Sequence, residues 1–219
     1  MPGIKRLIIY DLDGTLVDTG EDIANAANFM LQQMSEAPRS LDEVKALVGR
    51  GLHDLVYRCL DTTDPQRIER GLELFHDYYR AHLLDHSALY PGAADVLQHF
   101  RSRIQAIVTN KPHSFARQLV EGLGIAAQFA EIIGGGSPYP KKPDPAAIQA
   151  LMGRWQLQPR DVLLIGDSLI DFETGRNAGV TTALLTHGYE EQAALQCAHP
   201  DALAGNFREL LDLALQQGW

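Results

Sequence analysis

Two aspartates separated by one residue, Asp11 and Asp13, follow an apolar run that begins at Leu7. Side chains at positions i and i+2 of an extended segment point the same way, so both carboxylates should project together while Leu12 turns into the core. Two carboxylates held this close raise the pKa of one of them unless a cation or a shared proton offsets their repulsion. The pair therefore predicts a bound cation or a shared proton, and a capped turn whose acids face solvent is the simpler alternative.

Gly14 and Thr15 follow this pair directly. Glycine lets the backbone turn sharply, and a threonine hydroxyl can form a hydrogen bond back to the loop or cap the next segment. We expect a tight turn that begins at the acidic pair.

A second acidic motif closes another apolar run, in the stretch "LLIGDSLID". Asp167 ends the run, Ser168 follows, and Asp171 lies one turn into a predicted helix. Carboxylates from both motifs at one edge of a sheet would favour a hard, oxygen-seeking cation such as Mg²⁺, with no histidine or cysteine cluster to compete. For Asp171 alone, the alternative is an ordinary acid favoured by the helix dipole.

Two further motifs offer groups that bind phosphate. Thr109 and Asn110 close the run "AIVTN" with a hydroxyl, an amide and backbone N–H groups. Lys141 and Lys142 lie between prolines, just before a helix predicted to start near Pro145. Taken alone, each motif is weak, and a lysine pair of this kind is most often a solvated basic turn.

Five short apolar runs must position these residues, at 6–11, 104–110, 130–136, 161–167 and 181–188. Near-continuous hydrophobicity indicates burial on both faces, as in a parallel sheet covered by helices. Repeated strand-then-helix order predicts an α/β fold with a doubly wound parallel sheet. Ligands of such sheets bind beyond the carboxyl ends of the strands, where the motifs above lie.

Residues 18–87 interrupt this alternation, because they carry helical spacing and no apolar strand. We therefore predict an α/β core domain made of residues 1–17 and 88–219, with an inserted all-helical domain at 18–87. Pro91 and Gly92 should open the helix that returns the chain to the core.

Composition excludes several functional classes. The 219 residues are 45% hydrophobic, which is enough for a sizeable core. Nineteen Lys+Arg against 28 Asp+Glu give a net charge of −9, which argues against a nucleic-acid partner bound through bulk charge. Only Cys59 and Cys197 occur, which indicates no disulfide framework and fits a reducing compartment. No apolar segment approaches the roughly 18 residues of a membrane span. We expect a cytoplasmic protein with no membrane partner, and no pattern assigns an oligomeric state.

The ordered set DxDGT, Thr-Asn, Lys-Pro and GDSxxD resembles the haloacid dehalogenase-like hydrolase superfamily, from Lys5 to about Leu185. The resemblance implies a Rossmann-like core, and the insertion corresponds to the helical cap of one branch of that superfamily. It also implies a phosphoaspartate mechanism, in which Asp11 attacks phosphorus. Asp13 would protonate the leaving alcohol and then take a proton from water.

The same resemblance implies the remaining roles. Mg²⁺ would be held by Asp11, the backbone carbonyl of Asp13, and Asp167. Lys142 would match the catalytic cation of the family and would bind phosphate together with Thr109 and Asn110. Thr15 and Ser168 would support the site, and Asp171 would orient Lys142 or a metal-bound water. Lys141 is the nearest competitor of Lys142.

Two features restrict the reaction that the resemblance implies. Haloacid dehalogenases proper lack the second acid, which is present here as Asp13, so dehalogenation is disfavoured. Lys45 is the single lysine of the insertion, which makes a mechanism through a Schiff base there improbable. Arg50 lies between two glycines in a segment that resembles the cap specificity loop of phosphoglycolate phosphatases, and "THGY" at 186–189 is also similar to that subgroup. A solvent-exposed Arg50 between two helices is the alternative.

We therefore predict an enzyme, a Mg²⁺-dependent phosphatase of small phosphorylated metabolites that resembles phosphoglycolate phosphatase. The alternatives are a sugar phosphomutase, a sugar-phosphate or nucleotide phosphatase of the same superfamily, and a phosphate-ester-binding module without catalysis. The presence of Asp13, which binding alone does not require, argues against the last.

Overall fold

The structure is a computed structural model that describes residues 3–219, and a parallel sheet forms its centre. The strands are β1 (Leu7–Tyr10), β2 (Val17–Asp18), β3 (Ala88–Leu89), β4 (Ile104–Pro112), β5 (Glu131–Gly135), β6 (Val162–Gly166), β7 (Thr181–Leu185) and β8 (Ala202–Ala204). Six of them form one sheet in the order β5-β4-β1-β6-β7-β8, and every pairing in it is parallel. The short strands β2 and β3 form a separate antiparallel ribbon.

Helices of the core cover both faces of this sheet, and four further helices form an insertion. In chain order, the helices are α1 (Gly20–Gln33), α2 (Leu41–Lys45), α3 (Leu52–Leu60), α4 (Pro65–His82), α5 (Ala93–His99), α6 (His113–Gly122), α7 (Ala146–Arg154), α8 (Leu169–Ala178), α9 (Gln192–Ala198) and α10 (Phe207–Gln217). Along β1, Ile8 and Tyr10 belong to one buried cluster and Leu7 and Ile9 to another, on the opposite face. Burial on both faces explains the unbroken apolar runs and confirms the doubly wound parallel sheet. Within residues 3–219, no helix is long and apolar enough to cross a membrane.

The order of the strands brings the motif-bearing strands together. Central strand β1 pairs with β4 on one side and with β6 on the other, in parallel register. The three strands that carry acidic or Thr-Asn motifs are therefore neighbours, and their carboxyl ends lie at one edge of the sheet.

Three strands and one strand boundary differ from the sequence-based expectation. The two-residue strands β2 and β3 are too short to show a pattern. Edge strand β8, with the sequence Ala-Leu-Ala, was not predicted because alanine is poor in strands and the run is only three residues long. Strand β4 continues through Pro112, beyond the predicted end at 110, because it pairs with β5 again after a shift in register. Thr109 and Asn110, which were predicted to close this strand, consequently lie within β4, shortly before its end at Pro112.

Helices α1 to α4 form the insertion between β2 and β3, so the ribbon lies at the two predicted domain boundaries. A buried carboxylate ties the two connections together. Asp22 of α1, which is 1% exposed, accepts hydrogen bonds from the Ser87 backbone N–H at 2.8 Å and the Ser87 hydroxyl at 2.6 Å. The start of the first inserted helix is thereby held to the chain that leads back to the core.

Candidate active site

Three carboxylates meet where β1 and β6 end. Asp11 directly follows β1 and Asp167 directly follows β6, and Tyr10 pairs with Ile165 in the parallel register. Asp171 is in the first turn of α8, where the Ser168 hydroxyl and the Asp171 side chain cap the helix reciprocally. One oxygen from each of Asp11, Asp167 and Asp171 lies within 4.8 Å of the others. The two acidic motifs, 156 residues apart between Asp11 and Asp167, thus form a single cluster.

A buried lysine lies against this cluster. Lys142 Nζ lies 2.6 Å from Asp171 Oδ1 and 2.9 Å from Asp11 Oδ1, and its side chain is 3% exposed. The contact with Asp171 is a hydrogen bond, whereas the contact with Asp11 is an ion pair without hydrogen-bond geometry. Burial acts to lower the pKa of Lys142, but Asp11 and Asp171 outweigh it and raise the pKa above its usual value.

The carboxylates themselves carry raised pKa values. Burial raises the pKa of Asp11 to about 6, with Asp171 adding to the increase and Lys142 opposing it. Burial, together with Asp171 and Asp11, also raises the pKa of Asp167. The neighbouring Asp13 contributes least to the raised pKa of Asp11, so burial has a larger effect than the repulsion within the DxD pair.

Two observations fit a cation at this cluster. Asp11 Oδ1 is buried and, although it lies 2.9 Å from Lys142 Nζ, accepts no hydrogen bond from residues 3–219, so its hydrogen-bonding capacity is unsatisfied. Gly14, at φ +79°, and Gly188 lie so close to Asp167 that a Cβ at either position would collide with its carboxylate. An all-oxygen donor set suits a hard divalent cation such as Mg²⁺.

Asp167 is held in place by two donors. The Thr15 hydroxyl donates to its Oδ1 at 2.5 Å, and the Tyr189 backbone N–H donates to its Oδ2 at 2.9 Å. The Thr15 hydroxyl therefore donates to the second acidic motif, whereas the Thr15 backbone N–H donates within its own loop, to the Leu12 carbonyl. Tyr189 belongs to the "THGY" segment, whose likeness to a phosphatase subgroup gave no indication of this contact.

Asp13 lies outside the carboxylate cluster. Its Oδ1 accepts hydrogen bonds from Lys111 Nζ at 2.8 Å and from the Thr19 hydroxyl at 2.7 Å. Leu12 is fully buried between the two aspartates, as the alternation of the strand predicts. Asp13 thus lines the cavity described below, next to the ammonium group of Lys111. The sequence analysis did not assign Lys111 to the site.

The Thr-Asn pair is divided between two positions. Thr109 lines the cavity, and its hydroxyl oxygen accepts from the Lys111 N–H at 3.2 Å. The Asn110 amide is occupied, because it accepts from the Lys142 N–H and donates to the backbone oxygens of Lys142 and Gly49. Asn110 therefore fixes the loop that carries Lys142 and contacts the insertion, in addition to lining the cavity.

A cavity of about 50 Å³ lies between the core and the insertion, above Asp11 and Asp13. Arg50, the residue of the insertion predicted to select the substrate, is exposed and is not among the residues that line this cavity. Lys141 is also exposed, which leaves Lys142 as the lysine of that pair in the carboxylate cluster. The structure thus places Asp11, Lys142, Asp167 and Asp171 in one cluster and Asp13, Thr109 and Asn110 along the neighbouring cavity, whereas Arg50 belongs to neither.

Comparison with known proteins identifies the class that this fold and site define. A family profile described as haloacid dehalogenase-like hydrolase matches residues 8–185, and the chain belongs to that family. The resemblance inferred from the four motifs is therefore confirmed.

Individual relatives are phosphatases. The chain is 36% identical over 220 residues to the phosphoglycolate phosphatase of Vibrio parahaemolyticus serotype O3:K6, covering 95% of each protein. It is 35% identical to phosphoglycolate phosphatase 1 of Pseudomonas aeruginosa, covering 97% of this chain and 81% of that protein.

A crystal structure described as a predicted phosphoglycolate phosphatase from Haemophilus somnus 129pt superposes with a TM-score of 0.91 at 30% identity. The match covers 96% of this chain and 98% of that one. The prediction that the protein is an enzyme of the phosphatase class is confirmed.

Proposed function

We propose that the protein is a Mg²⁺-dependent phosphatase that hydrolyses small phosphate monoesters through an aspartyl-phosphate intermediate, with 2-phosphoglycolate as its substrate. The observation that carries the proposal is the cluster formed by the carboxylates of Asp11, Asp167 and Asp171, because Asp11 also lines the cavity. The Asp11 carboxylate therefore lies between a group of possible cation ligands and the space in which a phosphate ester would bind.

Asp11, Asp167 and the backbone carbonyl of Asp13 would hold Mg²⁺, with Asp171 the third carboxylate of the cluster. When bound, Mg²⁺ neutralises charge on the phosphoryl group and on the carboxylates that must approach it. Lys142 supplies a second positive charge next to Asp11, fixed by its hydrogen bond to Asp171.

The chain's own residues account for the two chemical steps. An Asp11 oxygen forms a bond to phosphorus while the bond from phosphorus to the ester oxygen breaks, and Asp13 gives its proton to the departing alkoxide. Asp13 then takes a proton from the water that cleaves the acyl phosphate and releases inorganic phosphate. Thr109 lines the cavity where the phosphoryl group would bind.

The size of the cavity supports a small substrate. A volume of about 50 Å³, lined on one side by residues of α1, α3 and α4, accommodates a short leaving group and excludes macromolecular phosphoesters. The names of the relatives support phosphoglycolate among small esters. The exposed, unpaired Cys197 fits a reducing compartment, so we propose that the enzyme acts in the cytoplasm.

A kinetic panel tests the proposal. Phosphate release is measured with 2-phosphoglycolate, glucose 6-phosphate, an amino-sugar 6-phosphate and AMP, each with Mg²⁺ and with a chelator. We expect the highest kcat/KM for 2-phosphoglycolate and no turnover with the chelator. A higher kcat/KM for any of the other esters would reject the proposed substrate, and dependence on a bisphosphate activator would identify a phosphomutase.

A further inference from the structure

Lys111 is a buried cation to which the mechanism above gives no role. Among residues 3–219, it is the only cationic side chain that lines the cavity, and the only other charged residues there are Asp11 and Asp13. Its side chain is 4% exposed. Burying an ammonium group is costly, so a lysine kept at this position needs a specific anionic partner.

The position of Lys111 relative to Asp13 indicates what it can contact. Lys111 Nζ lies 2.8 Å from Asp13 Oδ1. Asp13 must touch the ester oxygen in order to protonate it, so the atoms attached to that oxygen lie within reach of Lys111. Lys111 therefore lies within reach of the leaving group, whereas Lys142 lies next to Asp11, on the side of the proposed nucleophile.

Tyr79, from helix α4 of the insertion, completes this arrangement. Lys111 Nζ donates to its hydroxyl oxygen at 2.7 Å and lies 4.6 Å from the centre of its ring. An ammonium group has three N–H donors, of which two are used by Asp13 and Tyr79. Within residues 3–219, the third N–H and the Tyr79 hydroxyl proton have no hydrogen-bond acceptor, so two adjacent donors remain for a ligand.

The rest of the wall restricts what that ligand can be. On the side of the insertion, the cavity is lined by apolar side chains: Ile23, Val48, Leu52, Leu55 and Phe75. These offer no partners for the hydroxyl groups of a sugar, whereas two convergent donors, one of them charged, match the two oxygens of a carboxylate.

We propose that Lys111 and Tyr79 bind the carboxylate of the leaving group and thereby select short phosphorylated carboxylic acids. This assignment rests on the proposed function. It gives the selectivity to a core lysine and a tyrosine of α4, in place of the exposed Arg50. The substrate carboxylate accepts one hydrogen bond from each of the two free donors, and no covalent step is added.

The test compares two esters of nearly equal size. 2-Phosphoglycolate carries the carboxylate, whereas ethyl phosphate has a methyl group in its place, so the ratio of their kcat/KM values isolates recognition of the carboxylate. Any general effect of a substitution on Asp13 cancels in this ratio. We expect Lys111→Met to lower the ratio about 10- to 100-fold, the range for a charge-assisted hydrogen bond.

Two further variants make the test decisive. Tyr79→Phe leaves the buried Lys111–Asp13 pair in place, and we expect it to lower the ratio about fivefold. The matched control Lys141→Met removes an exposed lysine outside the cavity lining, and its ratio should stay within about twofold of wild type.

An unchanged ratio in Lys111→Met and Tyr79→Phe, with both esters still hydrolysed, would overturn this assignment and leave the proposed function standing. A wild-type enzyme that hydrolyses neither ester would overturn the proposed function and this assignment with it.

Discussion

Lys142 and Asp171 form a buried ion pair with 2.6 Å between Nζ and Oδ1. Asp11 lies 2.9 Å from the same ammonium group, so one cation pairs with two carboxylates. The side chains of Lys142 and Asp171 are 3% and 0% exposed, and that of Asp11 is 11% exposed. The pair joins the Lys-Pro loop to the first turn of α8. Removal of the lysine would leave two uncompensated charges in the interior.

We expect Lys142→Met to lower the free energy of unfolding by about 3–5 kcal/mol near neutral pH, the cost of breaking a buried ion pair. The loss should shrink as the pH falls, because protonation removes the unpaired charge of the carboxylates. Urea denaturation at several pH values measures both effects. Lys141→Met, at the exposed neighbouring position, is the control, and an equal loss in both variants would contradict the buried pair.

The raised pKa of Asp11 predicts how the cation acts on stability. Because this pKa rises from 3.8 to about 6 on folding, the metal-free protein gains stability from Asp11 below about pH 4 and loses it as the pH rises through about 6. Cation binding requires the charged carboxylates, so the increase in Tm caused by Mg²⁺ should be small at about pH 5 and larger at about pH 8. Thermal melts with and without Mg²⁺ measure this difference, and an increase that is equal at both pH values would refute it.

Gly188 tests the close packing around Asp167. A Cβ at this position would collide with the Asp167 carboxylate, so Gly188→Ala should displace a proposed metal ligand and weaken Mg²⁺ binding about 10-fold or more. The measurement is the Mg²⁺ concentration that gives half-maximal phosphate release. Gly153→Ala in α7, where a Cβ meets nothing within 4 Å, is the matched control. Equal Mg²⁺ requirements in the two variants would show that the packing at Gly188 does not matter.

Asp22 tests the connection between core and insertion. Its carboxylate accepts hydrogen bonds from the N–H groups of His86 and Ser87 and from the Ser87 hydroxyl, so Asp22→Ala leaves these donors without their acceptor. We expect a loss of about 2–3 kcal/mol in the free energy of unfolding. Glu21→Ala, at an exposed neighbouring carboxylate, should change it by no more than about 0.5 kcal/mol. Indistinguishable unfolding curves for the two variants would mean that Asp22 does not brace the connection.

The positions of Asp11, Asp167 and Asp171 could be predicted from the sequence, because short apolar runs and a helix-capping pattern determine them. Apolar runs placed β1 and β6, and parallel pairing then placed Asp11 and Asp167 at one edge. Ser168 and Asp171 follow a helix-capping pattern that requires only four residues of sequence.

Residues whose role depends on distant packing were not found. In the sequence, Lys111 is a lysine near the end of a predicted strand, with no sign that it is buried. In the structure, it contacts Tyr79 of the insertion, which is 32 residues away in the chain. The "NKP" stretch directly after Thr109 was the available signal. Arg50 shows the same dependence on packing, since glycines on both sides suggested access to a ligand, whereas its side chain is exposed and does not line the cavity.

The central claim is that Asp11 becomes phosphorylated, and a single-turnover experiment tests it most directly. Enzyme in excess is mixed with Mg²⁺ and 2-phosphoglycolate carrying a labelled phosphoryl group, quenched in acid at early times, digested and mapped by mass spectrometry. We predict a transient phosphoryl group on the peptide that contains Asp11, and neither labelled peptide nor phosphate release in Asp11→Asn. Phosphate release by Asp11→Asn at the wild-type rate, or labelling confined to another residue, would contradict the mechanism.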